Sequence, residues 1–281
     1  MVKVGLIPAM EGAVSSDPGY IREFMRTAEG CGFDSVWVGE HPALPVNPDT
    51  AYPGEREGLQ APSSAPLPDP LEWLAFAAAC SDTLLLGTAI LILPLHHPVV
   101  LAKRAATLDQ LSGGRLRLGI GVGWNRQEFI ACGAEWQRRG ERADETIDAL
   151  RVLWREEHAE FDGVTIGFEP VYSSPKPVRR SVPIHIGASG PAGARRAGRT
   201  GDGYLPFERD HDRLVALLHE MRRSAEAAGR DPDAIEVTAM GSTRPERIAA
   251  LAALGVHRIV FFQNDVAQLP SLAERVLEAV H

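Results

Sequence analysis

Short apolar runs alternate with longer amphipathic runs along the whole chain. Runs typical of buried strands cover residues 2–7, 35–38, 84–92, 116–120, 183–186, 203–205, 235–239 and 258–262. Apolar residues at helical spacing predict helices over residues 17–31, 70–81, 98–111, 141–156, 191–200, 210–229, 245–253 and 269–280. The predicted order is therefore strand then helix, repeated eight times.

Eight strand and helix pairs in 281 residues average about 35 residues each, the size of a parallel βαβ unit. Eight such units close most naturally into a TIM-type barrel, so we predict an α/β fold with one (β/α)8 barrel domain over residues 1–281. A doubly wound open sheet is the rival. Its phosphate loop would be residues 119–123, a GxGxG run that lacks the third glycine and follows the fourth strand instead of the first.

Two connections are longer than a barrel requires. Residues 41–69 follow the second strand and contain seven prolines, and loops longer than about 15 residues are usually functional, so a lid over the catalytic face is predicted. Residues 161–178 contain Phe-Asp-Gly at 161–163 and Ser-Pro-Lys-Pro at 174–177. They predict a small hairpin inserted before the fifth strand.

Charge and composition exclude several classes of function. The net charge of -8 argues against binding to nucleic acid or to an anionic membrane surface. No apolar run approaches the roughly 20 residues of a membrane span, and the amino terminus enters a strand without a signal peptide, so a cytoplasmic protein is expected. Three cysteines without CxxC spacing predict neither a disulfide framework nor a zinc site.

The strongest local signal for a binding site follows the fifth strand. This turn consists of Gly187, Ala188, Ser189, Gly190 and Pro191. Small residues leave backbone N–H groups accessible, and the helix that begins at proline adds its positive end, so the turn is suited to a phosphate. Arg195 and Arg196, one turn further on, are expected to assist. An ordinary helix start capped by Ser189 is the alternative.

Two pairs at strand ends carry histidine. Glu40 and His41 follow the second strand and place an acid beside an imidazole suited to proton transfer, with structural hydrogen bonding as the alternative. His96 and His97 follow the third strand but lack the His-x-His spacing of metal ligands, so helix capping or surface roles are expected. Asp144 and Glu145 are expected to lie on a solvated helix face.

Several motifs occur together in an order that is similar to one family. They are FDSVWVGEH at 33–41, LGTA at 86–89, HPVVLAK at 97–103, TLDQLSGGR at 107–115, LGIGVGW at 118–124, GASG at 187–190 and AGRTGDG at 197–203. Together they resemble the bacterial luciferase-like superfamily over most of residues 1–265. The sequences of these motifs look most like those of the branch that uses the deazaflavin coenzyme F420.

The resemblance implies that coenzyme F420, or alternatively FMN, binds in the barrel mouth and exchanges a hydride with a small organic substrate. The family's ring lies against a bulge in the third strand, often with a non-prolyl cis peptide, which falls at Ala89–Ile90. His41 is then the expected proton donor or acceptor, and Glu40 the acidic residue near the ring. The expected cofactor contacts are Pro8, Glu40, Ala89, Ile90, Val122, Gly123, Trp124, Gly187, Ala188, Ser189, Gly190 and Pro191.

One departure from the family concerns Trp124. The sugar-phosphate dehydrogenases of the family have a catalytic glutamate at this place, so an apolar or planar substrate is expected instead. Other functions left open are a two-component monooxygenase with reduced FMN, a catalytically silent cofactor-binding barrel and a metal-dependent barrel hydrolase. Family analogy also predicts a homodimer formed through helices near the second to fourth strands.

Overall fold

The structure, a computed structural model, describes residues 2–8, 13–49 and 66–280. Eight parallel strands in these ranges form a closed barrel, which confirms the predicted TIM-type fold. The strands are β1 (Lys3–Ile7), β2 (Ser35–Val38), β3 (Leu85–Thr88) with its continuation β4 (Leu91–Ile92), β5 (Leu116–Gly121), the hairpin strands β6 (Ala159–Asp162) and β7 (Gly167–Val171), β8 (Ile184–Gly187), β9 (Gly203–Leu205), β10 (Glu236–Met240) and β11 (Arg258–Phe262).

The barrel closes where β3 pairs with β5, with Leu86 opposite Leu116. The segment predicted as one strand over residues 84–92 is in fact broken after Thr88, and pairing resumes at Leu91, which lies opposite Ile120 of β5. The predicted bulge is therefore present, and the Ala89–Ile90 peptide is cis as expected. The Thr88 hydroxyl donates to the Gly119 carbonyl at 2.6 Å and fastens the two strands beside the break.

Helices follow the barrel strands. They are α1 (Pro18–Gly30), α2 (Pro70–Ala78), α3 (Pro98–Leu111), α4 (Arg126–Ala131), α5 (Arg139–Arg155), α6 (Pro191–Thr200), α7 (His211–Ala227), α8 (Pro245–Ala253) and α9 (Leu269–Val280). Asp17, Asp69 and Asp210 cap α1, α2 and α7 with side-chain oxygens, which satisfies N–H groups that a helix start leaves unpaired. The short helix α4 was not predicted. None of the helices in the described ranges has the length and hydropathy needed to cross a membrane.

The predicted insertion before the fifth barrel strand is the antiparallel hairpin β6–β7. The Glu145 carboxylate on α5 accepts the backbone N–H groups of Val164, Thr165 and Ile166 at 2.7 to 3.0 Å. The expectation of a solvated face at Asp144 and Glu145 is therefore wrong, because Glu145 holds the hairpin turn and Asp144 pairs with an arginine of α6. Of the predicted lid, residues 41–49 and 66–69 are described, while 50–65 lie outside the described residues.

Most apolar side chains pack between the helices and the barrel, and a smaller cluster lies apart from them. It consists of Ile7, Trp37, Leu205 and Val260, with Ala89, Phe207 and Met240 packed against it. Its four members lie on β1, β2, β9 and β11 and are buried, so we assign the cluster to the barrel interior. We call it the apolar floor, because it lies beneath the opening at the carboxyl ends of the strands.

A charged cluster fills the opposite, amino end of the barrel. Arg258 is 0% exposed and pairs with the carboxylates of Asp34 and Glu236. His185 lies in the same interior, and its pKa falls from 6.5 to about 3 because burial and the nearby Arg258 and Arg117 all disfavour the imidazolium. The imidazole is therefore neutral in the folded protein throughout the physiological range.

His185 predicts an acid sensitivity of folding. Unfolded chain binds a proton at His185 below about pH 6.5 and the folded protein does not, so stability falls as pH decreases from 6.5 towards 3. Between pH 7 and pH 5 the free energy of unfolding should fall by about 2 kcal/mol on account of this group alone. Urea titrations of the native protein and of His185→Gln at both pH values check this. Parallel losses in the two proteins would contradict it.

Candidate active site

The carboxyl ends of the parallel strands bring the predicted site residues to one opening, which we call the mouth. Pro8 follows β1, Glu40 and His41 follow β2, and the bulge interrupts the third barrel strand. Val122, Gly123 and Trp124 follow β5, while Ala188 begins the turn between β8 and α6. The common direction of the strands explains this grouping, since every strand end of a parallel barrel lies on the same side.

The bulge is seated on two glycines. A Cβ at Gly187 would lie 2.2 Å from Cγ2 of Ile90, and one at Gly121 would lie 2.7 Å from its Cδ1. The Ile90 side chain therefore lies across β5 and β8 where only glycine leaves room. Ala89, on the other side of the same peptide bond, packs against the apolar floor. This arrangement presents backbone and small apolar groups to the mouth.

Glu40 fastens the bulge from the side of β2. The residue is 6% exposed. Its carboxylate accepts the Ile92 backbone N–H at 2.6 Å and lies 2.9 Å from Nε2 of His96. The expectation of a capping or surface role for His96 is thus wrong, because the half-buried imidazole is the partner of Glu40. His97 is exposed and precedes α3 without a side-chain capping bond. The contacts of Glu40 make it a positioning group for β4.

His41 is held by a residue that sequence reasoning missed. Nδ1 of His41 lies 3.2 Å from both carboxylate oxygens of Glu128, whose side chain is fully buried. The His41 ring remains 23% exposed and meets the Trp124 ring edge-on, with centroids 6.1 Å apart. A sequence signal for this helix exists: Asn125 followed three residues later by Glu128 resembles a capping pattern. Asn125 does accept the N–H groups of Gln127 and Glu128.

Helix α4 also holds the beginning of the segment predicted as a lid. Glu128 Oε1 accepts the Ala43 N–H at 3.3 Å. Gln127 accepts the Asp49 N–H at 2.9 Å and donates to the Asn47 carbonyl at 3.1 Å. Residues 41–49 therefore run along α4 beside the mouth.

The turn after β8 has the form of an anion site. Helix α6 begins at Pro191, and its N-cap Gly190 provides no side-chain bond, so the alternative of Ser189 as the cap is wrong. Among the described residues, the N–H groups of Ser189, Gly190 and Ala192 have no hydrogen-bond partner. A Cβ at Gly190 would meet nothing within 4 Å, which shows that the turn is open. We call these residues the anion turn.

The two arginines expected to assist the anion turn are engaged elsewhere. Arg195 pairs with Glu220 at 2.9 Å on α7. Arg196 forms a bidentate pair with Asp144 and donates to the Gly140 carbonyl on α5. That expectation is corrected, because both guanidinium groups join helices. The positive field at the anion turn comes from the helix end and its free N–H groups.

The mouth combines open backbone N–H groups with an uncharged surface. The open N–H groups of the anion turn match phosphate oxygens, while Ala89 and the apolar floor offer an uncharged surface to a ring. Within the described ranges, no three His, Cys, Asp or Glu side chains come together as metal ligands would. The donor set of the mouth is thus backbone amides, one partly exposed imidazole and apolar side chains.

Comparisons with known proteins show which family and fold the chain resembles. Residues 5–267 match the family model of luciferase-like monooxygenases. An uncharacterised protein of Mycobacterium tuberculosis is 35% identical over 244 residues, covering 85% of this chain and 86% of that protein. An F420-dependent glucose-6-phosphate dehydrogenase of Microbacterium testaceum is 30% identical over 277 residues, covering 90% and 77%. The F420-dependent tetrahydromethanopterin reductase of Methanopyrus kandleri has the same fold, with a TM-score of 0.78, 17% identity and 99% coverage of both chains.

Proposed function

Since the chain belongs to the luciferase-like monooxygenase family, we propose that it is an oxidoreductase that uses coenzyme F420 to transfer a hydride to or from a small, uncharged organic substrate. The observation that carries the proposal is that the anion turn and His41 border the same mouth above the apolar floor. An F420-dependent relative at 30% identity over most of the chain supports the choice of coenzyme.

Different residues of the mouth would hold different parts of the coenzyme. The anion turn would hold the phosphate of the coenzyme, and the bulge at Ala89–Ile90 would support its ring. Pro8, Val122, Gly123 and Trp124 would contact the ring, and buried Glu40 keeps β4 and therefore the bulge in place. When bound, the deazaflavin supplies a ring carbon, C5, that accepts or gives the hydride.

His41 handles the proton that accompanies the hydride. Nδ1 faces Glu128, so Nε2 on the opposite side of the ring is the atom available to a substrate. In the oxidising direction Nε2 would take up the proton that the substrate loses together with the hydride. In the reducing direction Nε2 returns that proton. Trp124 packs edge-on against His41 beside this atom.

An uncharged substrate is supported by the side chains that face the mouth. Phe207 and Met240 pack partly exposed against the apolar floor, and Trp124 stands beside His41. These groups offer area to an apolar or planar molecule. The substrate therefore differs in class from the glucose 6-phosphate named for the relative described above.

A coenzyme titration tests the proposal. Purified apo-protein is titrated separately with F420 and with FMN, following the tryptophan fluorescence. We expect F420 to bind with a Kd of about 10 μM or tighter. FMN is the alternative cofactor, because it is the one expected of a monooxygenase of this family. It should bind at least about tenfold more weakly, a difference of about 1.4 kcal/mol in the free energy of binding. Tight binding of FMN without binding of F420 would replace the proposal by a flavin monooxygenase.

A further inference from the structure

Glu128 lies against the proposed acid and base of the reaction. Its side chain has no exposed surface, and both of its oxygens lie 3.2 Å from Nδ1 of His41. An ionised carboxylate only accepts hydrogen bonds, so the proton in this contact belongs to Nδ1. When the imidazole is neutral, Nε2 must then carry the lone pair.

The pocket around Glu128 is built for a carboxylate. The backbone N–H of Ala43 supplies a further donor to Oε1 at 3.3 Å, which helps to satisfy a group that is costly to bury without partners. Asn125 caps α4 through the N–H groups of residues 127 and 128 and fixes the backbone that bears the carboxylate. Helix, cap and carboxylate therefore form one rigid support behind His41.

The neighbouring pair of Glu40 and His96 is arranged differently. There Nε2 faces the carboxylate, and the same carboxylate accepts the Ile92 N–H, so that pair serves the bulge. Only 3% of the Glu40 side chain and 15% of the His96 side chain are exposed, whereas His41 retains 23% beside the mouth. These differences in contacts and exposure assign proton exchange to His41, and they assign support of the bulge to Glu40 and His96.

We propose that Glu128 is a positioning residue that keeps His41 in the Nδ1–H tautomer and in one orientation, so that Nε2 exchanges the proton with the substrate. Its effect on turnover rests on the proposed function, while its effect on the tautomer does not. Loss of the orienting carboxylate from a catalytic imidazole lowers kcat by up to about 10,000-fold in a hydrolase triad. For Glu128→Gln we expect a fall in kcat of at least about 100-fold.

The tautomer is read directly by NMR of protein labelled with ¹⁵N-histidine, recorded from pH 6 to 10 without coenzyme. His41→Asn identifies the His41 signals. We expect the Nδ1–H form in the native protein and a substantial Nε2–H population in Glu128→Gln, whose side chain keeps the size of glutamate but can donate as well as accept. An Nε2–H form in the native protein, or an unchanged tautomer in Glu128→Gln, would overturn the proposal.

Gln127→Ala is the matched control. Gln127 is the neighbour of Glu128, and its side chain hydrogen-bonds to the backbone of Asn47 and Asp49, so its loss loosens the same segment without removing a contact to His41. The His41 tautomer should be native in this variant. If Gln127→Ala changed the tautomer as much as Glu128→Gln does, the effect would come from residues 41–49, and Glu128 would not be the positioning residue. Failure of the coenzyme titration would instead remove the proposed function and leave the tautomer result standing.

Discussion

Replacement of His41 by asparagine is expected to lower kcat by about 100- to 10,000-fold, the usual contribution of a positioned general acid or base. Asparagine cannot exchange a proton near neutral pH, but it keeps a polar group near the buried Glu128 carboxylate. The ring is 23% exposed and its only aromatic neighbour among the described residues is Trp124, so the fold should survive the change. The rate is measured as a single turnover through the coenzyme absorbance.

The affinity of His41→Asn for the coenzyme shows whether the substitution affects the chemical step or coenzyme binding. If His41 acts on the proton alone, the Kd for F420 should stay within about threefold of the native value, a difference of about 0.7 kcal/mol. His97→Asn serves as the control, because His97 is exposed and its side chain makes no hydrogen bond in the described part of the chain. Native turnover in His41→Asn would remove His41 from the mechanism.

The alternation of strands and helices was predictable because local signals agree with the tertiary structure. Asp17 and Asp69 cap helices where they stand before proline, and the predicted strand over residues 258–262 coincides with β11. The break in the third strand was not visible in the hydrophobic pattern. Its apolar run continues through the bulge, because Ile90 is packed on Gly121 and Gly187 just as a strand residue would be packed. Only the family resemblance indicated it.

The positions that form the site were predictable from the sequence, but the pairs that their side chains form were not. Glu40 bonds His96 across 56 residues, and His41 bonds Glu128 across 87. Adjacent residues at the end of β2 thus have separate partners on different elements, which depends on how the barrel brings those elements together. Arg196 shows the same limit: its position near the anion turn predicted a phosphate contact, but Asp144 on the neighbouring helix holds it.

Arg258→Met is expected to lower the free energy of unfolding by about 3–5 kcal/mol, the cost of removing one partner from a buried ion pair. The guanidinium is 0% exposed, while the side chains of Asp34 and Glu236 are only 20% and 28% exposed, so both carboxylates would lose their shared cation at the amino end of the barrel. Urea unfolding measures the change. Arg222→Met, which breaks a surface pair with Asp233, should cost about 1 kcal/mol or less.

The same substitution should also change how stability depends on pH. Arg258 is one of the two cations that disfavour protonation of His185, so its removal raises the pKa of His185 and weakens the acid-induced loss of stability that this histidine causes. Adding Glu236→Gln to Arg258→Met should restore part of the lost stability, because one uncompensated carboxylate is then neutral. Equal stability of Arg258→Met and Arg222→Met, with an unchanged pH dependence, would mean that the buried cation does not hold this end of the barrel together.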